Sequence, residues 1–106
     1  MTISTTTLKN AARAIECDLW TDPATGANYL AKDGAILRRW EPADSFDDAM
    51  MLALKLGISI EFWAEHDSVL AHIDNDVNSF SETEAMDEYG TRWAILQVAA
   101  KIGASL

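Results

Sequence analysis

Residues 45–73 read SFDDAMMLALKLGISIEFWAEHDSVLAHI, and this stretch decides the fold class. Ser45 is followed three residues later by Asp48, which is the spacing of a capping box with a shortened acidic member and predicts the start of a helix. The apolar face of that helix carries Ala49, Leu52, Ala53 and Leu56. Gly57 predicts its end, because glycine readily adopts the left-handed backbone conformation that closes helices.

The period of the pattern changes directly after Gly57. The apolar residues Ile58, Ile60 and Phe62 then alternate with Ser59, Glu61 and Trp63. Alternation of this kind is typical of a half-buried strand. Residues 69–73 are apolar except for His72 and follow a polar turn at 65–68, so they predict an antiparallel return strand. A β-hairpin therefore follows the helix.

Working outward toward the start of the chain, the sequence predicts a helix and a second hairpin. Hydroxyl side chains at residues 5–7 can cap a helix. The apolar residues of this first helix recur at helical spacing and predict that the helix ends near Trp20. These residues are Leu8, Ala11, Ala12, Ile15 and Leu19. Asp33-Gly34 separates the apolar residues 29–31 and 35–37, and this dipeptide predicts a two-residue type I′ hairpin.

Toward the end of the chain, residues 74–80 form a polar stretch that predicts a loop. Ser81 and Glu84 repeat the capping-box spacing and predict a long helix that runs to Gly103. Gly90 marks either a kink in this helix or its true start. The order is helix, hairpin, helix, hairpin, helix, which predicts an α+β fold with about four antiparallel strands and three helices. With no linker or repeat, residues 1–106 are expected to form a single domain.

The charge balance of the chain is strongly acidic. Seventeen Asp and Glu stand against eight Lys and Arg, and the formal net charge is -9. Such a chain does not favour direct binding to nucleic acid or to an anionic membrane surface, and it favours basic partners. We therefore expect a protein partner rather than DNA, RNA or lipid.

Other features of the sequence bear on the compartment. Cys17 is the single cysteine, so no internal disulfide can form, which fits a reducing compartment. Residues 1–7 lack the basic and apolar regions of a secretion signal. No apolar run approaches the roughly 18 residues of a membrane span. A cytoplasmic protein is expected, with Cys17 as a small packed side chain on the first helix.

The acidic residues are concentrated in one third of the chain. Residues 56–91 contain no Lys or Arg and nine acidic residues, which are Glu61, Glu65, Asp67, Asp74, Asp76, Glu82, Glu84, Asp87 and Glu88. If they share one surface, their carboxylates can imitate the phosphates of a nucleic acid for a basic protein. The alternative is a solvated acidic face that only maintains solubility. Trp63 is either an exposed anchor among these residues or a core residue under the first or last helix.

The sequence offers little support for catalysis or metal binding. No nucleophile elbow, P-loop or glycine-rich dinucleotide turn is present, so no enzyme activity and no cofactor are expected. Residues 74–78 open like a calcium loop, but Ser79 and Ala85 stand where glycine and glutamate are needed, so an Asx-rich turn is favoured. His66 and His72 are six residues apart and fit no common metal motif. A metal-dependent enzyme using both histidines and nearby carboxylates is a third interpretation, separate from binding and structural roles.

Two segments resemble the phage ABA sandwich domain family of small bacteriophage and prophage proteins. The first contains Trp40-Glu41-Pro42, Asp48-Ala49, Leu52-Ala53 and Lys55-Leu56. The second contains Thr91-Arg92, Ala94-Ile95, Ala99-Ala100 and Ile102-Gly103. The resemblance implies a layered α-β-α fold in a phage or prophage setting, without assigned catalytic residues.

A phage setting implies a role for the acidic residues. Small acidic phage proteins without enzyme activity often resemble anti-defence factors, such as anti-CRISPR proteins that block a basic nucleic-acid channel of a host complex. The leading hypothesis is an inhibitor of this kind in the host cytoplasm, which uses the nine acidic residues and Trp63 as its partner-binding surface. The alternative is an accessory or structural phage protein, including a homodimer, whose acidity serves only solubility.

Overall fold

A computed structural model describes residues 4–106. Within this range the chain forms three α-helices and six β-strands. In chain order they are α1 Thr5–Ala14, β1 Asp18–Thr21, β2 Asn28–Lys32, β3 Ala35–Arg39, α2 Phe46–Leu56, β4 Ser59–Trp63, β5 Ser68–Asp74, β6 Ser79–Ala85 and α3 Glu88–Ala104. A short 3₁₀ turn, Ala64–His66, joins β4 to β5. Residues 1–3, part of the stretch from which no secretion signal is expected, lie outside the described residues.

The strands of residues 4–106 form two separate antiparallel sheets. Sheet A has the order β1-β2-β3, and sheet B has the order β4-β5-β6. The α+β class and the three helices are confirmed, whereas the expected layered α-β-α arrangement is matched only in part, because the strands form two sheets instead of one. The expected number of four strands is wrong, because each predicted hairpin gains a third strand: β1 pairs with β2, and β6 pairs with β5.

Local signals at α2 and at the first hairpin act as the sequence predicts. Ser45 Oγ accepts a hydrogen bond from the Asp48 N–H at 3.3 Å, and Gly57 closes the helix with φ +75°. Asp33 and Gly34 both have positive φ, 53° and 82°, which is the backbone of a type I′ turn. These elements are specified by residues only a few positions apart.

The first helix is shorter than predicted. It ends at Ala14 rather than near Trp20, and the chain turns at Glu16, which has φ 61°. Residues 18–21 instead pair with β2 as strand β1, so Leu19 lies opposite Leu30. Cys17 consequently lies in the connection between α1 and β1 and not on the helix. Pairing with a distant strand overrides the helical spacing of the apolar residues.

The last helix begins later than predicted. Ser81 and Glu84 belong to β6, and the helix is capped by Asp87, whose Oδ1 accepts the Gly90 N–H at 2.6 Å. Of the two interpretations of Gly90, the true start is correct, because the residue lies in the first turn of α3. A Cβ at this position would overlap the carbonyl oxygen of Ala85, so the turn from β6 into α3 requires glycine there.

Helix α3 is the centre of the core. Its residues are buried on nearly every side because α1, α2 and sheet B all pack against it. The largest fully buried side chains around it are Trp40, Leu52, Ile95, Leu96, Val69 and Val98. One buried cluster thus draws side chains from the helices and from both sheets. None of the helices described in residues 4–106 has the length and apolarity needed to cross a membrane.

The two predicted capping boxes provide a direct comparison. Ser45→Ala is expected to lower the free energy of unfolding by about 1 kcal/mol, because the Asp48 N–H loses its side-chain acceptor. Ser81→Ala is the matched control, since Ser81 is exposed on β6 and caps no helix; we expect a change below about 0.5 kcal/mol. Urea unfolding of both variants measures the difference. Equal losses of unfolding free energy in Ser45→Ala and Ser81→Ala would contradict the assignment of a helix cap to Ser45 but not to Ser81.

Candidate protein-binding end of sheet B

One end of sheet B gathers the last residue of β4 and the two turns beside it. Trp63 lies opposite Ser68, and Ser68 lies opposite Ala85, so the β4–β5 turn and the β6–α3 turn are neighbours. The Met86 N–H donates to the Asp67 carbonyl at 3.0 Å and ties the two turns together. The side chains of four acidic residues belong to these turns: Glu65, Asp67, Asp87 and Glu88. We call this group, with Trp63, the acidic end.

The acidic end carries almost no compensating positive charge. All four carboxylate residues are exposed. Among the described residues, the nearest ion pair is Arg92 Nη1 to Glu88 Oε2, at 4.0 Å, and it joins residues one helical turn apart. The same guanidinium is also held by α3's contact with another segment, since the Arg92 Nε–H donates to the Ala43 carbonyl at 2.8 Å. The acidic end therefore presents negative charge that is available to a partner.

Trp63 is half exposed at the end of the edge strand β4. Its exposed fraction is 47%, and its ring centroid lies 6.2 Å from that of His66. The interpretation of Trp63 as a core residue under a helix is thus wrong. In residues 4–106, α3 packs on the opposite face of sheet B, the one that carries Val69 and Ala71. A large exposed ring at an acidic end of the sheet has the form of an interface anchor.

Two further exposed aromatic residues belong to elements at this end of sheet B, and the sequence does not mark them as site residues. Phe62 is 61% exposed, although its strand alternation predicts burial, and Tyr89 in the first turn of α3 is 41% exposed. Phe62 lies on β4 at the edge of the sheet, where α3 does not reach, and no local pattern distinguishes an edge strand from a central one. The exposure of Tyr89 follows from the later start of α3.

Glu61 lies on the outer face of sheet B, two residues before Trp63. Its Oε2 lies 2.9 Å from Nε2 of His72 on the neighbouring strand. This carboxylate is therefore already engaged by a side chain of its own sheet. Glu61 borders the acidic end but contributes less free negative charge to it.

Glu82 and Glu84 point away from the acidic end. They alternate with outward residues of β6 and face α3, where Lys101 Nζ pairs with Glu82 and the Gln97 side-chain amide donates to Glu84 at 3.2 Å. Both residues are only partly exposed. Their carboxylates serve the packing of α3 on sheet B and are not available as a shared surface with Glu65 and Asp67.

Asp74 and Asp76 lie at the opposite end of sheet B. Strand β5 separates them from Asp67 by its seven residues, or about 20 Å. Between them, Asn75 Oδ1 accepts hydrogen bonds from the N–H groups of Val77 and Asn78 at 2.9 and 2.8 Å, which makes the Asx turn that the sequence favours. The nine acidic residues therefore do not form one surface.

The two histidines are held apart. His66 lies in the turn after β4, and His72 lies in the middle of β5, about 13 Å further along the strand direction. Within residues 4–106, no group of three or more His, Cys, Asp or Glu side chains is arranged to hold a metal ion. The geometry does not favour the interpretation in which both histidines share one metal.

A second polar site lies between sheet A and the start of α2. An open cleft of about 760 Å³ runs past Arg38, Glu41 and Asp48. Asp48 is buried and accepts hydrogen bonds from Arg38 Nη2 at 2.6 Å and from the Glu41 N–H at 2.8 Å. Glu41 in turn accepts the N–H of Asn28 at 2.9 Å. These groups satisfy one another, so they join β3 to α2 rather than await a ligand.

The chain was compared with protein-family models, with curated proteins and with solved structures, and none of the three comparisons gave a match.

Proposed function

We propose that the acidic end of sheet B binds a basic surface of another protein, and that the chain acts as a non-enzymatic inhibitor there. The observation that carries this proposal is the exposure of Glu65, Asp67, Asp87 and Glu88 at the same end of sheet B as the half-exposed Trp63, where the 4.0 Å pair of Glu88 with Arg92 is the one ion pair among the described residues. A basic surface built for nucleic acid is the natural complement of clustered carboxylates. Exposed tryptophan supplies contact area that charge alone lacks.

The proposed partner is a host defence complex of the CRISPR type, whose channel for nucleic acid is basic. This part of the proposal rests on the resemblance of residues 40–56 and 91–103 to the phage ABA sandwich domain family. The acidic end then acts as a nucleic-acid mimic in the cytoplasm of the host bacterium. Binding needs no cofactor, because shape, charge and the aromatic anchor supply the recognition.

Two charge-reversal variants test this proposal with the same change in net charge. Glu65→Lys with Glu88→Lys alters the acidic end, and Asp74→Lys with Asp76→Lys alters the opposite end of sheet B. We expect the first variant to lower the affinity for a purified CRISPR effector complex about tenfold or more, and the second by less than about threefold. Titration at two salt concentrations measures both effects. Asp87 is left unchanged because it caps α3.

The partner itself is sought by capture from lysates that contain defence complexes, followed by a wash series of rising salt. Recovery of one basic complex that is lost when its nucleic acid is added in excess supports the mimic. Equal effects of the two charge reversals on a recovered complex would contradict the acidic end as its binding surface.

Trp63→Ala is expected to weaken the same complex by about thirtyfold, as loss of a central anchor does.

The second candidate function is that of an accessory or structural phage protein whose acidity serves only solubility. The dispersal of the acidic residues favours it: Glu82 and Glu84 are engaged by α3, and Asp74 and Asp76 lie at the far end of the sheet. Under this candidate neither charge reversal changes any specific binding. Recovery of nothing but copies of the chain itself supports it.

A further inference from the structure

Strand β3 is an unpaired edge of sheet A. It stands last in the order β1-β2-β3, and all five of its residues are exposed. Two of them are large and aliphatic: Ile36 is 54% exposed and Leu37 is 55% exposed. An edge strand of this kind is a template for pairing with another strand.

The hairpin geometry leaves backbone groups of β3 free. Lys32 and Ala35 close the two-residue type I′ turn and form its hydrogen-bonded pair. The next pair, Ala31 with Ile36, is therefore a non-hydrogen-bonded pair. The N–H and C=O of Ile36 point away from β2 and toward the open edge. Directly after Ile36 the register shifts by one residue, so Leu37 forms a bulge without a partner on β2.

Further apolar surface adjoins this edge. Register places Ile36 on the same outward face of sheet A as Tyr29 and Trp20, whose rings lie 5.4 Å apart. On the other side, Met51 of α2 lines the same small cavity as Arg38 of β3, and Met51 is 40% exposed. The free backbone of Ile36 is thus bordered by apolar side chains on both sides.

The charge of this region differs from that of the rest of the chain. Residues 28–39 carry three basic residues and one acidic residue, whereas the whole chain has a net charge of -9. Asp48 neutralises Arg38 in an ion pair, so the remaining charges of residues 28–39 are those of Lys32, Asp33 and Arg39. Two copies of the chain that approach through this hairpin therefore repel each other less than the net charge of the whole chain implies.

We propose that β3 is the interface between two copies of this chain, paired antiparallel about a twofold axis at Ile36. A twofold arrangement is self-complementary, so each residue that β3 offers is met by its counterpart. With Ile36 opposite Ile36 of the partner subunit, the free N–H and C=O of each Ile36 bond to those of the other.

Sedimentation velocity over concentrations from about 1 µM to 1 mM tests this interface. The native chain is expected to approach twice its monomer mass of 11.6 kDa. Ile36→Lys is expected to weaken the association about tenfold or more, because the lysines of the two copies would face each other across the twofold axis. Val77→Lys is the matched control: Val77 is 85% exposed in the β5–β6 turn, far from β3, and its replacement should leave the association unchanged.

A native chain that stays monomeric over the whole range would overturn the proposal. So would an Ile36→Lys variant that associates as strongly as the native chain, since the copies would then meet elsewhere, such as at the edge strand β4. Crosslinking keeps the proposal testable if Ile36→Lys fails to fold. In a Cys17→Ala background, a short bis-maleimide should link Ile36→Cys into dimers and leave Val77→Cys monomeric; equal linking of both would contradict the interface.

Discussion

Replacing Gly103 by alanine should lower the free energy of unfolding by about 2 to 3 kcal/mol, although the same change inside a helix normally raises it by about 1 kcal/mol. Gly103 is buried where α3 packs against α1. A Cβ on Gly103 would overlap the backbone carbonyl oxygen of Asn10. A backbone atom in a packed helix cannot move aside as a side chain can, so the two helices would have to separate.

Thermal or urea unfolding of Gly103→Ala measures this effect, and its sign is the informative result. Gly26→Ala is the control, because Gly26 has φ +76° but open space around it, so only the backbone strain of about 1 kcal/mol is expected. A Gly103→Ala variant as stable as the native chain would contradict the close packing of α1 on α3. The predicted end of the last helix at Gly103 is confirmed to within one residue, and the contact with α1 is what requires glycine there.

Replacing Asp48 by alanine should lower the free energy of unfolding by about 3 kcal/mol. Asp48 is buried, and one of its oxygens accepts from Arg38 while the other accepts from the Glu41 N–H. The replacement leaves the Glu41 N–H without this acceptor and removes the link between β3 and the first turn of α2. Arg38→Ala should cost less, about 1 to 2 kcal/mol, because its guanidinium is half exposed and water can take over part of its role.

Asp47→Ala is the matched control for Asp48. The two residues are neighbours in the first turn of α2, but Asp47 is exposed, and its loss should cost only about 0.5 kcal/mol through the helix dipole. Urea unfolding of Asp47→Ala, Asp48→Ala and Arg38→Ala distinguishes the buried pair from the general effect of acidic charge at a helix start. Similar losses for Asp47→Ala and Asp48→Ala would show that the pair with Arg38 contributes little.

The elements that the sequence predicts correctly are those with signals between near neighbours. The cap at Ser45, the left-handed Gly57 and the Asp33-Gly34 turn each involve a few consecutive residues. Alternation over residues 58–63 likewise predicts β4 and its return strand. Caps, turns and strand alternation depend on residues only a few positions apart, so the sequence is enough to identify them.

The candidate site was only partly predictable. The sequence identifies the acidic third of the chain and selects Trp63, but it cannot tell which carboxylates share a surface. Glu82 and Glu84 alternate along β6 and face α3, where Lys101 and Gln97 bind them. Their partners are 13 or more residues away in sequence, so their removal from the surface depends on how α3 packs.

By itself the sequence determined the α+β class, the helix α2, the hairpins β2–β3 and β4–β5, and a strongly acidic second half. Only the tertiary structure decided that residues 18–21 and 79–85 are strands, because each gains its hydrogen bonds from a partner strand. It also decided that Trp63 is exposed. The acidic residues separate into three groups, which lie at the acidic end, on the face of β6 that packs against α3, and at the opposite end of sheet B. The physical reason is that caps and turns act between neighbouring residues, whereas pairing of a third strand and burial of a side chain depend on contacts that only the packed chain brings together.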